Sequence, residues 1–229
     1  KENAQQKQTQ NEKTDYSPRQ SQLLDSLSFS LTKDQLDVIN QMNREIDRGY
    51  KERNSILHKL ENNNSAGTTA EQDLKPFTMQ RLVQGDVGSG KTLVALFAAL
   101  RVIDWGGQVA FMAPTEILAR QHAENINRYV EKFGVRTAFL TGNVKTAGRK
   151  TLLKELKTGG IDILIGTHAL FSNDVIYKDL QLAIIDEQHR FGVLQRQAII
   201  EKGRQLLNSL YASPHLLMMS ATPIPQTLA

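Results

Sequence analysis

From residue 81 onward, short apolar runs alternate with longer stretches in which apolar residues recur every three or four positions. The runs predict strands at 81–84, 108–113, 135–140, 161–166, 182–186 and 216–220. The periodic stretches between them predict helices at 92–104, 116–132, 146–157 and 193–202. Strands that are apolar along their whole length belong to parallel sheets buried on both sides. The pattern therefore predicts an α/β fold, a mostly parallel sheet with helices on both faces. Upstream, Thr32-Lys33-Asp34-Gln35 has the form of a helix-capping box, and Leu36, Ile39, Ile46, Tyr50, Leu57 and Leu60 follow at helical spacing. Residues 1–28 are polar and without apolar periodicity, so they read as a flexible linker or tail. Residues 62–69, rich in Asn, Ser, Gly and Thr, read as a flexible loop. The predicted folded unit is thus 29–229.

Between the first predicted strand and its helix lies Gly85-Asp86-Val87-Gly88-Ser89-Gly90-Lys91-Thr92. It fits the phosphate-loop pattern G-x-x-x-x-G-K-[ST] at every required position. Strand, glycine loop and helix form the arrangement this chemistry needs. Glycines let successive backbone N–H groups converge on phosphate oxygens, and the helix N-terminus adds partial positive charge. Lys91 is then placed to reach the β- and γ-phosphates, and Thr92 to ligate magnesium. The segment predicts binding of a nucleoside triphosphate.

A second chemical signal is Leu182-Ala183-Ile184-Ile185-Asp186-Glu187, an apolar strand ending in two carboxylates. Beside a phosphate loop, Asp186 is placed to hold the magnesium, and Glu187 to polarise water attacking the γ-phosphate. Gln188 and His189 follow directly and are candidates for coupling. Ligands of parallel α/β sheets bind beyond the carboxyl ends of the strands, so motifs at such ends should converge.

Composition adds limits rather than a function. Lys plus Arg exceeds Asp plus Glu by 28 to 24, an excess that permits a nucleic-acid partner without demanding one. There is no cysteine, which excludes disulfides and thiolate metal sites and suits a reducing cytoplasm. No apolar stretch approaches the roughly 18 residues of a membrane-spanning helix. A small-metabolite kinase with the same phosphate loop would need an acceptor pocket and an Arg-rich lid, which 146–157 does not supply convincingly. A non-catalytic binding module is opposed by the intact Lys91, Thr92, Asp186 and Glu187.

Taken together, the phosphate loop, Ala113-Pro114-Thr115-Glu116-Ile117-Leu118-Ala119-Arg120-Gln121-His122, Gly166-Thr167-His168, Asp186-Glu187-Gln188-His189-Arg190-Phe191-Gly192-Val193 and Ser220-Ala221-Thr222-Pro223 form a highly specific set. The set resembles the first, RecA-like motor lobe of superfamily-two helicases of the Asp-Glu-x-His group. Fork-remodelling DNA helicases are favoured, and transcription-repair coupling translocases are the alternative. The resemblance covers about 29–229 and implies ATP and Mg²⁺ as cofactors, with ATP hydrolysis driving movement on branched DNA. It implies that Gln35 contacts adenine and that Pro114, Thr115, Arg120, Thr141, Gly142, Thr167 and His168 contact DNA backbone. It further implies that Gln188, His189, Ser220 and Thr222 couple hydrolysis to movement. Two departures stand out: Gln226 occupies a position where the family usually carries Arg, and 49–75 resembles a flexible insertion. The resemblance also implies two partners outside this chain, a second motor lobe supplying an arginine finger and an N-terminal wedge domain. The isolated lobe is then expected to be nearly inactive.

Overall fold

A computed structural model describes residues 15–62, 75–86, 88–142, 146–186, 193–206 and 210–221, with backbone alone at 146–147, 193–196, 204–206 and 210–211. Its centre is a six-stranded sheet: β1 (Gln80–Gln84), β2 (Gln108–Met112), β3 (Thr137–Leu140), β4 (Ile163–Gly166), β5 (Leu180–Asp186) and β8 (His215–Ser220). The spatial order is β1-β8-β5-β2-β4-β3, and every neighbouring pair is parallel. All six carboxyl ends therefore lie along one edge. Six α-helices among the described residues accompany the strands: α1 (Pro18–Ser26), α2 (Lys33–Asn62), α3 (Lys91–Asp104), α4 (Glu116–Val130), α5 (Thr146–Thr158) and α6 (Val193–Glu201).

The continuous apolar runs are explained by two cores, one on each face of the sheet. Val109, Phe111, Ile163, Ile165, Leu182 and Ile184 pack with α1–α4. The intervening residues Ala110, Met112, Leu164, Ala183 and Ile185 pack with α5, α6 and the 3₁₀ turn His168–Phe171. Successive strand side chains point to opposite faces, so a sheet covered on both sides must be apolar at every position.

Two expectations about the chain's organisation are corrected. Packed structure begins before residue 29, because α1 lies within the stretch read as a flexible tail. Its Leu23 is fully buried, while Gln20 Nε2 donates to Phe97 O and to Asn43 Oδ1 at 2.8 Å each. The anchoring is largely polar, so a search for apolar periodicity passes over it. Residues 49–62, read as the start of a flexible insertion, continue α2, in keeping with the helical spacing of Tyr50, Leu57 and Leu60, and place Gly49, Arg53 and Ile56 on its buried side. A Cβ on Gly49 would lie 2.6 Å from His215 Cε1, so a glycine at mid-helix lets α2 cross the start of β8 closely. Residues 63–74 fall outside the described part.

A short antiparallel hairpin, β6 (Arg204–Leu206) with β7 (Leu210–Ala212), was not anticipated. Its three-residue strands are too short to show a period.

Arg101 anchors the helix that follows the phosphate loop. It is 1% exposed and makes a two-pronged ion pair with Asp47, Nε to Oδ1 at 2.8 Å and Nη2 to Oδ2 at 2.6 Å. Trp105 Nε1 donates to Asp47 Oδ1 at 3.0 Å, and the Tyr50 ring stacks on Trp105 at 5.3 Å. Burial alone would raise the Asp47 pKa, but the hydrogen bonds from Arg101 and Trp105 prevail and hold it below the ordinary carboxylate value. The pair fixes α3 against α2.

Candidate functional site

The phosphate loop joins β1 to α3, as its sequence demanded. Gly88 and Gly90 adopt left-handed backbone, at φ of 83° and 80°. That conformation costs an L-residue with a side chain roughly 1–2 kcal/mol. Gly90 is the N-cap of α3 and supplies no side chain, so among the described residues no side chain caps the first-turn N–H groups of α3. The Val94 N–H, at 3.0 Å from Gly90 O, begins the helical ladder. Left-handed glycines around uncapped helical amides fit a polyphosphate, whose oxygens would accept from those amides. Val87 lies outside the described residues.

Lys91 Nζ donates to Gly85 O at 2.6 Å and Asp86 O at 2.8 Å, folding over the loop. Phosphate oxygens are charged acceptors and make stronger partners for an ammonium than these carbonyls. Ser89 N donates to Asp86 O at 3.0 Å, closing the turn. Thr92 sits in the first turn of α3.

Gln35 holds the loop from outside. Its Oε1 accepts from Thr32 N at 2.9 Å, and Thr32 Oγ1 accepts from Gln35 N at 3.2 Å, completing the capping box of α2. The same amide reaches across with Nε2 to Ser89 O at 3.0 Å. A Cβ on Gly90 would stand 2.6 Å from that Nε2, so this glycine meets both a conformational and a spatial demand.

Asp186 closes β5, two strands from the loop. The register places it opposite Met219 of β8, which faces Val83 of β1. At the usual spacing, two strands span roughly 10 Å of backbone. Asp186 Oδ2 is 2.6 Å from Nε2 of His122, and the two side chains are only 18% and 13% exposed. His122 comes from α4, and its ring lies 4.7 Å from that of Phe111. Among the described residues, no three His, Asp or Glu side chains gather around a common point. A magnesium ion here would therefore rest on one or two protein oxygens, Thr92 and Asp186, and on phosphate and water, its usual arrangement with nucleotides. Glu187, Gln188 and His189 lie outside the described residues.

The other strand ends carry the remaining candidates. Thr115 caps α4, its Oγ1 accepting from Leu118 N at 3.3 Å, and its hydroxyl proton stays available to an external acceptor. Arg120 is exposed, pairs with Glu116 at 3.4 Å and lies over Phe139 at 5.0 Å. Pro114 is half-buried beside them. Gly142 and His168 are exposed after β3 and β4. Thr141 and Thr167 are buried, at 3% and 8% exposure, so their side chains lie beneath the rim that Gly142 and His168 present. A cleft of about 520 Å³ opens there, lined in part by Met112, Gly142, Arg149, His168 and Phe171. Ser220 O accepts from Gly85 N at 3.3 Å, so β8 meets the first residue of the phosphate loop. Thr222 and Gln226 lie outside the described residues.

Sequence reasoning assigned no role to His122. It shares its helical stripe with the buried Ala119, Ile126 and Val130, where a lone histidine reads as part of the core. Only the fold reveals that this stripe passes over the end of β5.

Comparisons with known proteins agree with this geometry. The DEAD/DEAH box helicase family matches residues 32–229. The ATP-dependent DNA helicase RecG of Treponema pallidum is 61% identical over 163 residues, covering 71% of this chain and 24% of that protein. RecG of Bacillus subtilis is 53% identical over 154 residues, covering 67% and 21%. A solved structure of RecG bound to a three-way DNA junction superposes with a TM-score of 0.63 at 34% identity, covering 94% of this chain and 24% of that one. The chain thus spans at most about a quarter of the length of these relatives.

Proposed function

The chain belongs to the DEAD/DEAH box helicase family, and on that premise we propose that it is the nucleotide-binding lobe of an ATP-driven helicase that remodels branched DNA. One observation carries the reading: a phosphate loop with left-handed Gly88 and Gly90, an acid at the end of β5 and an exposed rim at Thr115, Gly142 and His168 share one edge of a single sheet. Such an edge brings a nucleotide and a DNA backbone to the same rigid body. The similarity to a RecG bound to a three-way junction supports branched DNA as the partner.

In this reading, the uncapped amides of α3 and the Lys91 ammonium bind the phosphate tail. Thr92 and Asp186 hold Mg²⁺, which when bound neutralises charge developing on the phosphate oxygens. Glu187 orients the attacking water and accepts its proton. Gln35, by exchanging its Ser89 contact for the base, recognises adenine. Thr115 and Arg120 meet DNA phosphates by hydroxyl and guanidinium, while Pro114, Gly142 and His168 shape the backbone track and the Thr141 and Thr167 backbones support it. Such contacts position DNA without reading its sequence. Gln188, His189, Ser220 and Thr222 couple hydrolysis to movement, with Ser220 O already accepting from Gly85 N of the phosphate loop. Two further parts of the full-length protein, a second motor lobe bearing an arginine finger and a wedge domain, complete the machine. Removal of an arginine finger costs on the order of 10³–10⁵ in rate, so the lobe alone should turn over slowly.

The test is ATP hydrolysis by the full-length protein with forked, duplex and single-stranded DNA. Selective stimulation by forks is expected. Lys91→Ala should abolish the stimulated rate, and Glu187→Gln should bind ATP without hydrolysing it. Phosphate transfer to a metabolite with no response to DNA would overturn the reading.

A further inference from the structure

We propose that His122 is a positioning residue for the metal-binding acid: its Nε2–H fixes the orientation of the Asp186 carboxylate and ties that acid to α4, the helix that faces DNA. The inference rests on the reading of Asp186 as the magnesium acid. Three features of the contact carry it.

The first is its geometry. Nε2 lies 2.6 Å from Oδ2, a short hydrogen bond of the kind that a charged acceptor makes. An ionised carboxylate only accepts, so the proton resides on Nε2.

The second is rigidity. The imidazole is held at 4.7 Å against Phe111, which is 2% exposed near the carboxyl end of β2. Ala119 and Ile126, one turn to either side on α4, are fully or almost fully buried. The ring has little room to swing away, so the carboxylate inherits the order of the core. Hydrogen-bond partners that orient metal ligands typically change metal affinity or activity 10–100-fold when removed.

The third is what else α4 carries. Its N-cap Thr115 stands seven residues before His122, about 10 Å along the helix axis. A helix pressed by DNA at its N-terminal end would therefore carry that displacement directly to the acid. A contact made only for stability has no reason to join these two sites.

The test uses the full-length protein, a fluorescent adenine nucleotide and a magnesium titration. His122→Ala should raise the magnesium concentration needed for half-maximal nucleotide binding roughly 10–100-fold. At saturating magnesium it should also lower DNA-stimulated kcat with little change in the KM for ATP, since the phosphate loop is untouched. His122→Gln, whose Nε2–H can reach the same oxygen, should recover the parent's midpoint to within a few-fold. His122→Met fills the space without a donor and should behave like the alanine variant. The Gln and Met pair decides the matter even if the alanine variant fails to fold. Equal midpoints for Gln and Met, with Asp186→Asn strongly shifted, would overturn the positioning role alone. An unshifted midpoint in Asp186→Asn would overturn the metal reading of Asp186, and this inference with it.

Discussion

Lowering the pH should unfold this domain partly through one histidine far from the phosphate loop. His215, at the start of β8, is 7% exposed, and its Nδ1 accepts from Met79 N at 2.9 Å. Burial, followed by the nearby Arg53 charge, pushes its pKa from 6.5 down to about 4, with Glu45 opposing weakly. A protonated ring would lose the acceptor that Met79 needs and place a cation beside the buried Arg53–Asp179 pair. The folded state holds the ring neutral, whereas the unfolded chain takes up the proton from pH 6.5 downward. The contribution is therefore complete above 6.5 and is lost as pH falls towards 4. In full it amounts to about 3 kcal/mol, of which about 2 kcal/mol is gone by pH 5. Urea unfolding followed by the single tryptophan, Trp105, reads this out. In His215→Asn, the amide oxygen replaces Nδ1 and nothing titrates, so stability should fall less steeply from pH 7.5 to 5 than in the parent. Identical slopes would refute a neutral, protonation-resistant His215.

Other substitutions probe the frame of the nucleotide site. Arg101→Met should cost about 3–5 kcal/mol in chemical denaturation, because Asp47 loses its two-pronged partner and the Trp105 ring loses the guanidinium 5.5 Å from its centre; an unchanged midpoint would show that the clamp is dispensable. Gly90→Ala should weaken nucleotide binding beyond the roughly 1–2 kcal/mol strain of left-handed alanine, since the new methyl displaces Gln35 from Ser89; fluorescent-nucleotide titration at parental affinity would contradict this. Thr115→Ala should lower thermal stability by about 1 kcal/mol through loss of the α4 cap and also weaken DNA binding; a stability loss with unchanged DNA affinity would confine Thr115 to capping.

Much of the architecture was legible because parallel-sheet physics writes itself into sequence. Two covered faces force apolar strands such as 182–186, and the loop before Lys91 needs its glycines for reasons visible residue by residue. The alternation of runs and periods also placed each motif at a strand end. Features held by polar or long-range contacts stayed hidden. Helix α1 is anchored by Gln20 and Arg19, whose partners Phe97 and Asp104 lie 77 and 85 residues away. Buried Gly49 and Arg53 on α2 look like surface positions until His215 and Asp179 are seen beside them. Thr141 and Thr167 looked like rim residues because sequence locates a strand end but not which way its side chains turn. His122 was obscured by its apolar neighbours, since only the sheet order brings α4 above Asp186.

Isothermal calorimetry of magnesium-loaded ATP with the full-length protein tests the central claim most directly. A saturable heat that disappears in Lys91→Ala is the predicted result. The absence of any heat, or the same heat in parent and variant, would contradict a nucleotide held by the loop between β1 and α3.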